Sequence, residues 1–200
     1  MIKNIIFDVG KVLVEWEPYE AFRRLGFSEE IIKKVAAATV DSPDWNESDR
    51  SVCSDEEQLD IFISKAPDCE KEIRLFWENI GMAIRQYDYA KDWIRSFKEK
   101  GYHCYILSNY ARWTYWHTQE QLSFLKDADG ALFSFEAHQI KPEPEIYQTL
   151  FQKFDLNPEE CLFFDDRAEN IQAAKAQGME GIVFTTREAA DVAMRDFGIQ

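Results

Sequence analysis

Cysteine and histidine are scarce in this 200-residue sequence, and long apolar runs are absent from it. The cysteines form no CxxC pair and the histidines do not cluster with them, so we do not expect a zinc site. These residues are Cys53, Cys69, Cys104 and Cys161, and His103, His117 and His138. No stretch approaches the length that spans a bilayer, and the first residues lack the apolar segment of a signal peptide. We therefore expect a cytoplasmic protein with reduced thiols and no membrane partner.

Basic residues are outnumbered, 23 against 37 acidic ones, which gives a formal net charge of −14. An acidic chain lacks the basic footprint of a nucleic-acid-binding protein, so no nucleic-acid partner is expected. The content of 46% hydrophobic and 14% aromatic residues excludes a disordered acidic tail. An anionic ligand would need local positive charge from a metal ion, a lysine or helix N-termini.

Five short apolar runs are typical of strands buried on both faces. They cover residues 4–9, 103–107, 131–134, 161–165 and 181–184. Helical periodicity separates or follows the later runs, at about residues 87–100, 143–154, 167–177 and 187–197. Continuous apolar strands alternating with helices predict an α/β fold, a doubly wound (Rossmann-like) parallel five-stranded sheet.

A helical block interrupts this alternation after the first predicted strand. From about residue 17 to residue 86 no apolar run typical of a buried strand appears, and helical periodicity covers 29–38, 55–65 and 70–80. An irregular piece at 41–51 lies between these helices. We predict an α/β core of residues 1–16 and 87–200 with an inserted α-helical cap domain of residues 17–86.

Polar side chains stand at the carboxyl ends of the predicted strands. Three strands end in Asp8, in Ser108-Asn109 and in Asp165-Asp166, and Lys141 precedes the strand of the last pair. In a doubly wound sheet, ligands bind at this edge. Carboxylate oxygens suit magnesium (Mg²⁺), and a carboxylate can attack phosphorus. With Ser108 and backbone amides near Asn109 to hold phosphoryl oxygens and Lys141 to neutralise charge, the pattern predicts phosphoryl transfer.

Four segments, in order, resemble the four motifs of the haloacid dehalogenase superfamily. They are FDVGKVL at 7–13, LSN at 107–109, KPE at 141–143 and FFDD at 163–166. The position of the helical block resembles the phosphatase branch with a cap after the first motif. The flanks KPEPEIYQ and FDDRAENI resemble the sub-branch of glucose-1-phosphate phosphatases.

This resemblance implies a Mg²⁺-dependent phosphomonoester hydrolase acting on a small soluble phosphate, with a sugar phosphate favoured. It implies that Asp8 is the nucleophile, forming an aspartyl-phosphate, and also a metal ligand. The Gly10 carbonyl and Asp166 would complete the protein's metal contacts, with Asp165 supporting them. Ser108 and Lys141 would act on the phosphoryl group.

One position departs from the family pattern. The family normally has a second aspartate two residues after the nucleophile, as general acid and base, and here that residue is Gly10. Losing such a group costs ~10²–10⁴ in rate. The glucose-1-phosphate sub-branch also commonly has glycine here, and an anomeric leaving oxygen is acidic enough to need less protonation.

Two other functions remain open. A 2-haloacid dehalogenase would share Asp8 and lose nothing through Gly10, but a metal-free site has no use for Asp165-Asp166. A non-catalytic phosphate-binding or partner-docking protein would also explain Gly10.

Four residues have open roles. Trp16 and Trp45 either stack on a sugar or pack between core and cap. Asn170 either steadies the site or lies on the surface, and His138 is either a loop histidine or a general base. The sequence makes no prediction of oligomeric state.

Overall fold

A parallel five-stranded sheet forms the centre of the computed structural model, which describes residues 1–199. The central strand β1 (Asn4–Phe7) pairs with β4 (His103–Ser108) on one side and with β6 (Cys161–Asp165) on the other. The outer strands are β5 (Gly130–Phe133) and β7 (Glu180–Val183). In the order β5-β4-β1-β6-β7, the chain adds β4 and β5 on one side of β1 and then β6 and β7 on the other. This change of side at β1 confirms the predicted doubly wound fold.

Helices separate or follow the strands of this sheet. Four lie where helical periodicity predicts them: α6 (Ala90–Glu99), α9 (Pro144–Phe154), α10 (Ala168–Ala176) and α11 (Arg187–Ala193). Two shorter helices, α7 (Arg112–His117) and α8 (Ser134–Ala137), were not predicted. Helix α9 begins with Pro144, whose fixed φ suits the first helical position and whose missing N–H costs nothing there. Its start is therefore fixed directly after the segment that carries Lys141.

The chain between β1 and α6 contains a small antiparallel sheet and five helices. Strand β2 (Val14–Trp16) pairs with β3 (Ile84–Gln86). Between them lie α1 (Pro18–Arg24), α2 (Glu29–Ala38), α3 (Pro43–Ser48), α4 (Asp55–Lys65) and α5 (Glu70–Glu78). Side-chain oxygens of Ser28, Ser42 and Ser54 accept hydrogen bonds at the starts of α2, α3 and α4. These caps explain where the three helices begin.

One expectation about this segment is wrong in detail, because α3 lies inside the piece predicted to be irregular. Strand β3 was not predicted either, although it is not the buried type of strand that the stretch was expected to lack. A three-residue strand pairing outside the main sheet has no continuous apolar run to reveal it, and α3 has only six residues. The division into core and cap stays a prediction. The β2–β3 pair lies at both of its proposed boundaries.

Aromatic side chains fill the core beneath the central strand. The Trp93 ring lies 4.9 Å from Phe7 and 5.1 Å from Phe164, measured between centroids, and all three are fully buried. On the opposite face, Ile6 and Phe163 belong to a second apolar cluster. Since successive strand residues point to opposite faces, apolar cover on both faces explains why these runs are continuous rather than alternating.

The four cysteines are free thiols, and three of them are buried. Within residues 1–199, no helix is both long and apolar enough to cross a membrane.

Replacing Trp93 with alanine tests the role of this aromatic core. We expect Trp93→Ala to lower the free energy of unfolding by about 3–5 kcal/mol, because it removes a fully buried side chain and leaves a cavity. The matched control is Trp116→Ala, since Trp116 is 64% exposed, and its effect should stay within about 0.5 kcal/mol. Denaturant unfolding measures both, and equal losses would contradict this assignment of the core.

Candidate active site at the carboxyl edge of the sheet

Three adjacent strands end together and bring the predicted polar residues to one edge. Phe7 of β1 is in register with Phe164 of β6, so Asp8 and Asp165 follow at the same level. The Asp8 N–H donates to the Phe164 carbonyl at 2.8 Å, which continues the pairing past the strand. Ser108 ends β4 on the other side of β1. Parallel pairing thus places residues far apart in sequence side by side.

Lys141 places a buried ammonium group between two carboxylates. Its Nζ lies 2.8 Å from Asp8 Oδ1 and 2.6 Å from Asp165 Oδ2, and it donates to the Leu107 carbonyl at 3.1 Å. Its side chain is 1% exposed. The three N–H donors therefore have three acceptors, the condition under which a buried ion pair is tolerated. Burial opposes the charge, but attraction to Asp165 and Asp8 outweighs it and raises the pKa of Lys141.

Asn109 fixes the backbone that carries this lysine. The Lys141 N–H donates to Asn109 Oδ1 at 2.8 Å, and Asn109 Nδ2 donates to the Lys141 carbonyl at 3.0 Å. This reciprocal pair uses both ends of the side-chain amide. The predicted contact of Asn109 with substrate therefore falls to its backbone N–H, and that contact stays a prediction.

Ser108 lies just beneath this edge. It is 1% exposed, and its Oγ makes a long contact of 3.4 Å with the Asn109 carbonyl. Asn109 and Tyr110, which follow it, border the cavity described below. The phosphate-binding role of Ser108 stays a prediction.

The two carboxylates of the Asp165-Asp166 pair have different surroundings. Asp165 is fully buried, and its oxygens accept from Lys141, from the Arg167 N–H at 2.8 Å and from Asn170 Nδ2 at 3.0 Å. Asp166 is half-buried and borders the cavity. Among residues 1–199, the structure assigns it no hydrogen bond or ion pair. Asp165 thus anchors the loop and Lys141, while Asp166 is available for a ligand.

The oxygen atoms of this edge fit a divalent cation. Carboxylate oxygens of Asp8, Asp165 and Asp166 lie within 4.8 Å of one another. In the described chain, hydrogen bonds reach Oδ1 of Asp8 but not its Oδ2. Gly10 borders the same cavity, and the buried Oδ1 of Asn170 has no partner. An all-oxygen set with a spare acceptor for a bound water is the donor chemistry of Mg²⁺. Asn170 is therefore part of the site rather than a surface residue.

Two carboxyl groups at this acidic edge, those of Asp8 and Asp166, have raised pKa values. Burial raises the pKa of Asp8 to about 7; Asp165 and Asp166 add to the rise, and Lys141 opposes it. Burial also raises the pKa of Asp166, helped by Asp165. A cation bound between the carboxylates would stabilise their ionised forms, so binding of metal and of protons should compete here.

A cavity of about 380 Å³ opens above these residues. Its lining includes Trp16 of β2 and, from the inserted segment, Val40 and Trp45. The two tryptophan rings lie 5.6 Å apart and also border the cavity, so packing and ligand contact do not exclude each other. The volume suits a small molecule.

Sequence reasoning missed Asp49, which borders the cavity directly after α3. Its segment carries no motif and was expected to be irregular, so the sequence offered no signal for it. His138 does not border the cavity; its Nδ1 lies 2.7 Å from the Arg50 carbonyl, to which it donates. Its position makes it a contact between segments rather than a general base.

Comparisons with known proteins agree with this geometry. The model of a hydrolase family, the haloacid dehalogenase-like hydrolases, matches residues 2–178. The chain is 24% identical to a sesquiterpene phosphatase of Aspergillus oryzae over 96% of this chain and 95% of that protein. It is 26% identical to a D-ribitol-5-phosphate phosphatase of Bacteroides thetaiotaomicron over the same shares.

A solved structure also resembles the chain. It is an enzyme of the haloacid dehalogenase (HAD) family of Bacteroides thetaiotaomicron in complex with magnesium and inorganic phosphate. The TM-score is 0.72 at 22% identity, covering 94% of this chain and 96% of that one. At this identity the likeness concerns the fold.

Replacing Lys141 with methionine tests the buried ion pairs. We expect Lys141→Met to lower the free energy of unfolding by about 3–5 kcal/mol near neutral pH, because Asp8 and Asp165 lose their counter-charge. Buried carboxylates without a partner have raised pKa values, so the loss should be smaller at about pH 5, where they take up protons, than at about pH 8. Denaturant unfolding at both pH values measures this difference.

The control for that variant is Lys153→Met. Lys153 is 38% exposed and pairs with Glu136 at the surface, so its loss should cost at most about 1 kcal/mol. Equal and pH-independent losses in the two variants would contradict the central role of Lys141.

Proposed function

Because the chain belongs to the haloacid dehalogenase-like hydrolases, we propose that it hydrolyses phosphomonoesters of small molecules with Mg²⁺ as its cofactor. One observation carries this proposal. Lys141 occupies one oxygen of Asp8, while the other oxygen receives no hydrogen bond from the described residues. A carboxylate oxygen of Asp8 also lies within 4.8 Å of a carboxylate oxygen of the unpartnered Asp166. A nucleophilic oxygen and a cation site are thus combined at the edge of one cavity.

The residues of this edge have separate roles in the proposed reaction. Asp8 attacks phosphorus, the bond from phosphorus to the leaving oxygen breaks, and an aspartyl-phosphate forms on Asp8. Water then attacks phosphorus and releases phosphate and the free carboxylate. Lys141 holds Asp8 in place and offsets charge on the phosphoryl group, together with Ser108 and the Asn109 N–H.

Metal binding would fall to Asp8, Asp166 and the Gly10 carbonyl, with Asn170 supporting a bound water. When bound, Mg²⁺ supplies positive charge that offsets repulsion between the anionic substrate and the carboxylates. The solved relative bound to magnesium and phosphate supports this choice of ion.

A sugar or polyol phosphate is the proposed substrate class. Trp16 and Trp45 offer aromatic faces on which the apolar side of a sugar can stack, and the D-ribitol-5-phosphate phosphatase supports the same class. The similarity to a sesquiterpene phosphatase makes an apolar phosphate the competing substrate. Membership in the glucose-1-phosphate sub-branch is a narrower proposal, which a preference for anomeric phosphates would support.

Phosphate release tests this function. With sugar, polyol, terpenyl and nucleoside monophosphates as substrates, we expect release that requires Mg²⁺ and stops with EDTA. Asp8→Asn should lower the rate by at least about 10⁴-fold, because it removes the nucleophile. The control Asp60→Asn changes an exposed carboxylate of α4 and should retain the wild-type rate.

Other outcomes would favour the other functions. Phosphate release that persists in Asp8→Asn would contradict the nucleophile. Halide release from a haloacid in the presence of EDTA would favour a dehalogenase. Tight binding of phosphate esters without turnover of any substrate would favour a non-catalytic protein.

A further inference from the structure

The proposed reaction needs a proton donor that the first motif does not provide. An ordinary alkoxide leaving group is strongly basic, and Gly10 has no side chain to protonate it. A Cβ built at Gly10 would meet no atom within 4 Å, so the position is open space beside Asp8. A carboxyl group from elsewhere in the chain can therefore approach the leaving oxygen.

Asp49 is such a carboxyl group. It follows α3 in the inserted segment and borders the same cavity as Asp8, Gly10 and Lys141. Among the charged side chains, Asp8 has the largest influence on the pKa of Asp49, ahead of Lys141 and Arg167. Unlike Asp8 and Asp165, it has no ion-pair partner among the described residues, so its carboxyl is free to exchange a proton.

Hydrogen bonds from the segment after β5 hold the backbone at Asp49 and Arg50. The Ser134 Oγ donates to the Asp49 carbonyl at 2.6 Å, and His138 Nδ1 donates to the Arg50 carbonyl at 2.7 Å. Both donors come from the segment after β5, so they tie the inserted segment to the sheet. The backbone from which the Asp49 side chain projects is thus held in place relative to the sheet that carries Asp8.

Two further contacts extend this attachment. The Arg50 guanidinium makes a bidentate ion pair with Glu143, two residues beyond Lys141. The Arg112 N–H donates to Ser51 Oγ at 2.9 Å. The segment that carries Asp49 is therefore attached to the same loop that carries Lys141.

The surroundings of Asp49 bring the pKa of its carboxyl close to neutral pH. Burial raises the pKa of its carboxyl to about 7, and the charge of Asp8 adds to the rise. Lys141, the backbone N–H of Ala111 and Arg167 act in the opposite direction. A pKa close to the working pH suits a group that must both give and take a proton.

We propose that Asp49 is the general acid and base of the phosphatase reaction proposed above, on which this inference rests. When Asp8 attacks phosphorus, the bond to the leaving oxygen breaks and that oxygen takes the proton of the Asp49 carboxyl, which gives a neutral alcohol. When water attacks the aspartyl-phosphate, the Asp49 carboxylate takes the water's proton, and the bond between phosphorus and Asp8 breaks. With Asp49 in this role, the substrate needs no acidic leaving oxygen.

The test compares two leaving groups in the Asp49→Asn variant. For butyl phosphate, whose alkoxide needs protonation, kcat/KM should fall by ~10²–10⁴. For p-nitrophenyl phosphate, whose phenolate leaves without a proton, kcat/KM should stay within about threefold of wild type, because this ratio reports the step that forms the aspartyl-phosphate. Retained cleavage of the aryl ester also demonstrates that the variant is folded.

Two further variants complete the test. The control Asp44→Asn changes a carboxylate on α3 that pairs with Lys65 outside the cavity, and should leave kcat/KM for both substrates unchanged. Gly10→Asp in the Asp49→Asn background should restore butyl phosphate cleavage at least tenfold, since the space beside Asp8 accepts a side chain.

Equal losses for the two esters, no loss for butyl phosphate, or a double variant no better than Asp49→Asn would overturn the role of Asp49 alone. Failure of the wild-type protein to release phosphate from either ester and from every other monophosphate tested would overturn the proposed function, and this inference with it.

Discussion

The structure of this site depends on one buried ammonium group. Lys141 Nζ joins Asp8, Asp165 and the Leu107 carbonyl, and so connects the ends of three neighbouring strands. Without it, two carboxylates would be buried side by side without a counter-charge, at a cost of several kcal/mol. Asn109 holds the lysine's backbone, so its reach to both carboxylates is fixed. The charge balance that permits folding also leaves one oxygen of Asp8 available for chemistry.

The inserted segment complements this arrangement from above. It supplies Trp45, which lies beside Trp16 of β2 at the cavity, and the carboxyl of Asp49. Ser134 and His138 attach it to the segment after β5. In the proposed reaction, the sheet edge provides the nucleophile and the cation site, while the segment shapes the space for the leaving group.

The main sheet and the residues at its edge could be predicted because they leave local signals. Asp8, Asn109 and Lys141 stand directly after apolar runs or in a short motif, and parallel pairing brings such positions together. Asp49 could not be predicted, since its place depends on side-chain contacts between distant segments. Strand β3 was missed for a related reason, because its three residues pair only with β2 outside the main sheet.

The central claim is that Asp8 carries the phosphoryl group during turnover, and mass spectrometry after a rapid acid quench tests it most directly. The protein would be mixed with Mg²⁺ and p-nitrophenyl phosphate, quenched during the first turnover and digested. The account predicts that the peptide containing Asp8 gains the mass of one phosphoryl group, and that this gain is absent in Asp8→Asn. Turnover with an unmodified Asp8 peptide, or a phosphoryl group on another residue, would contradict it.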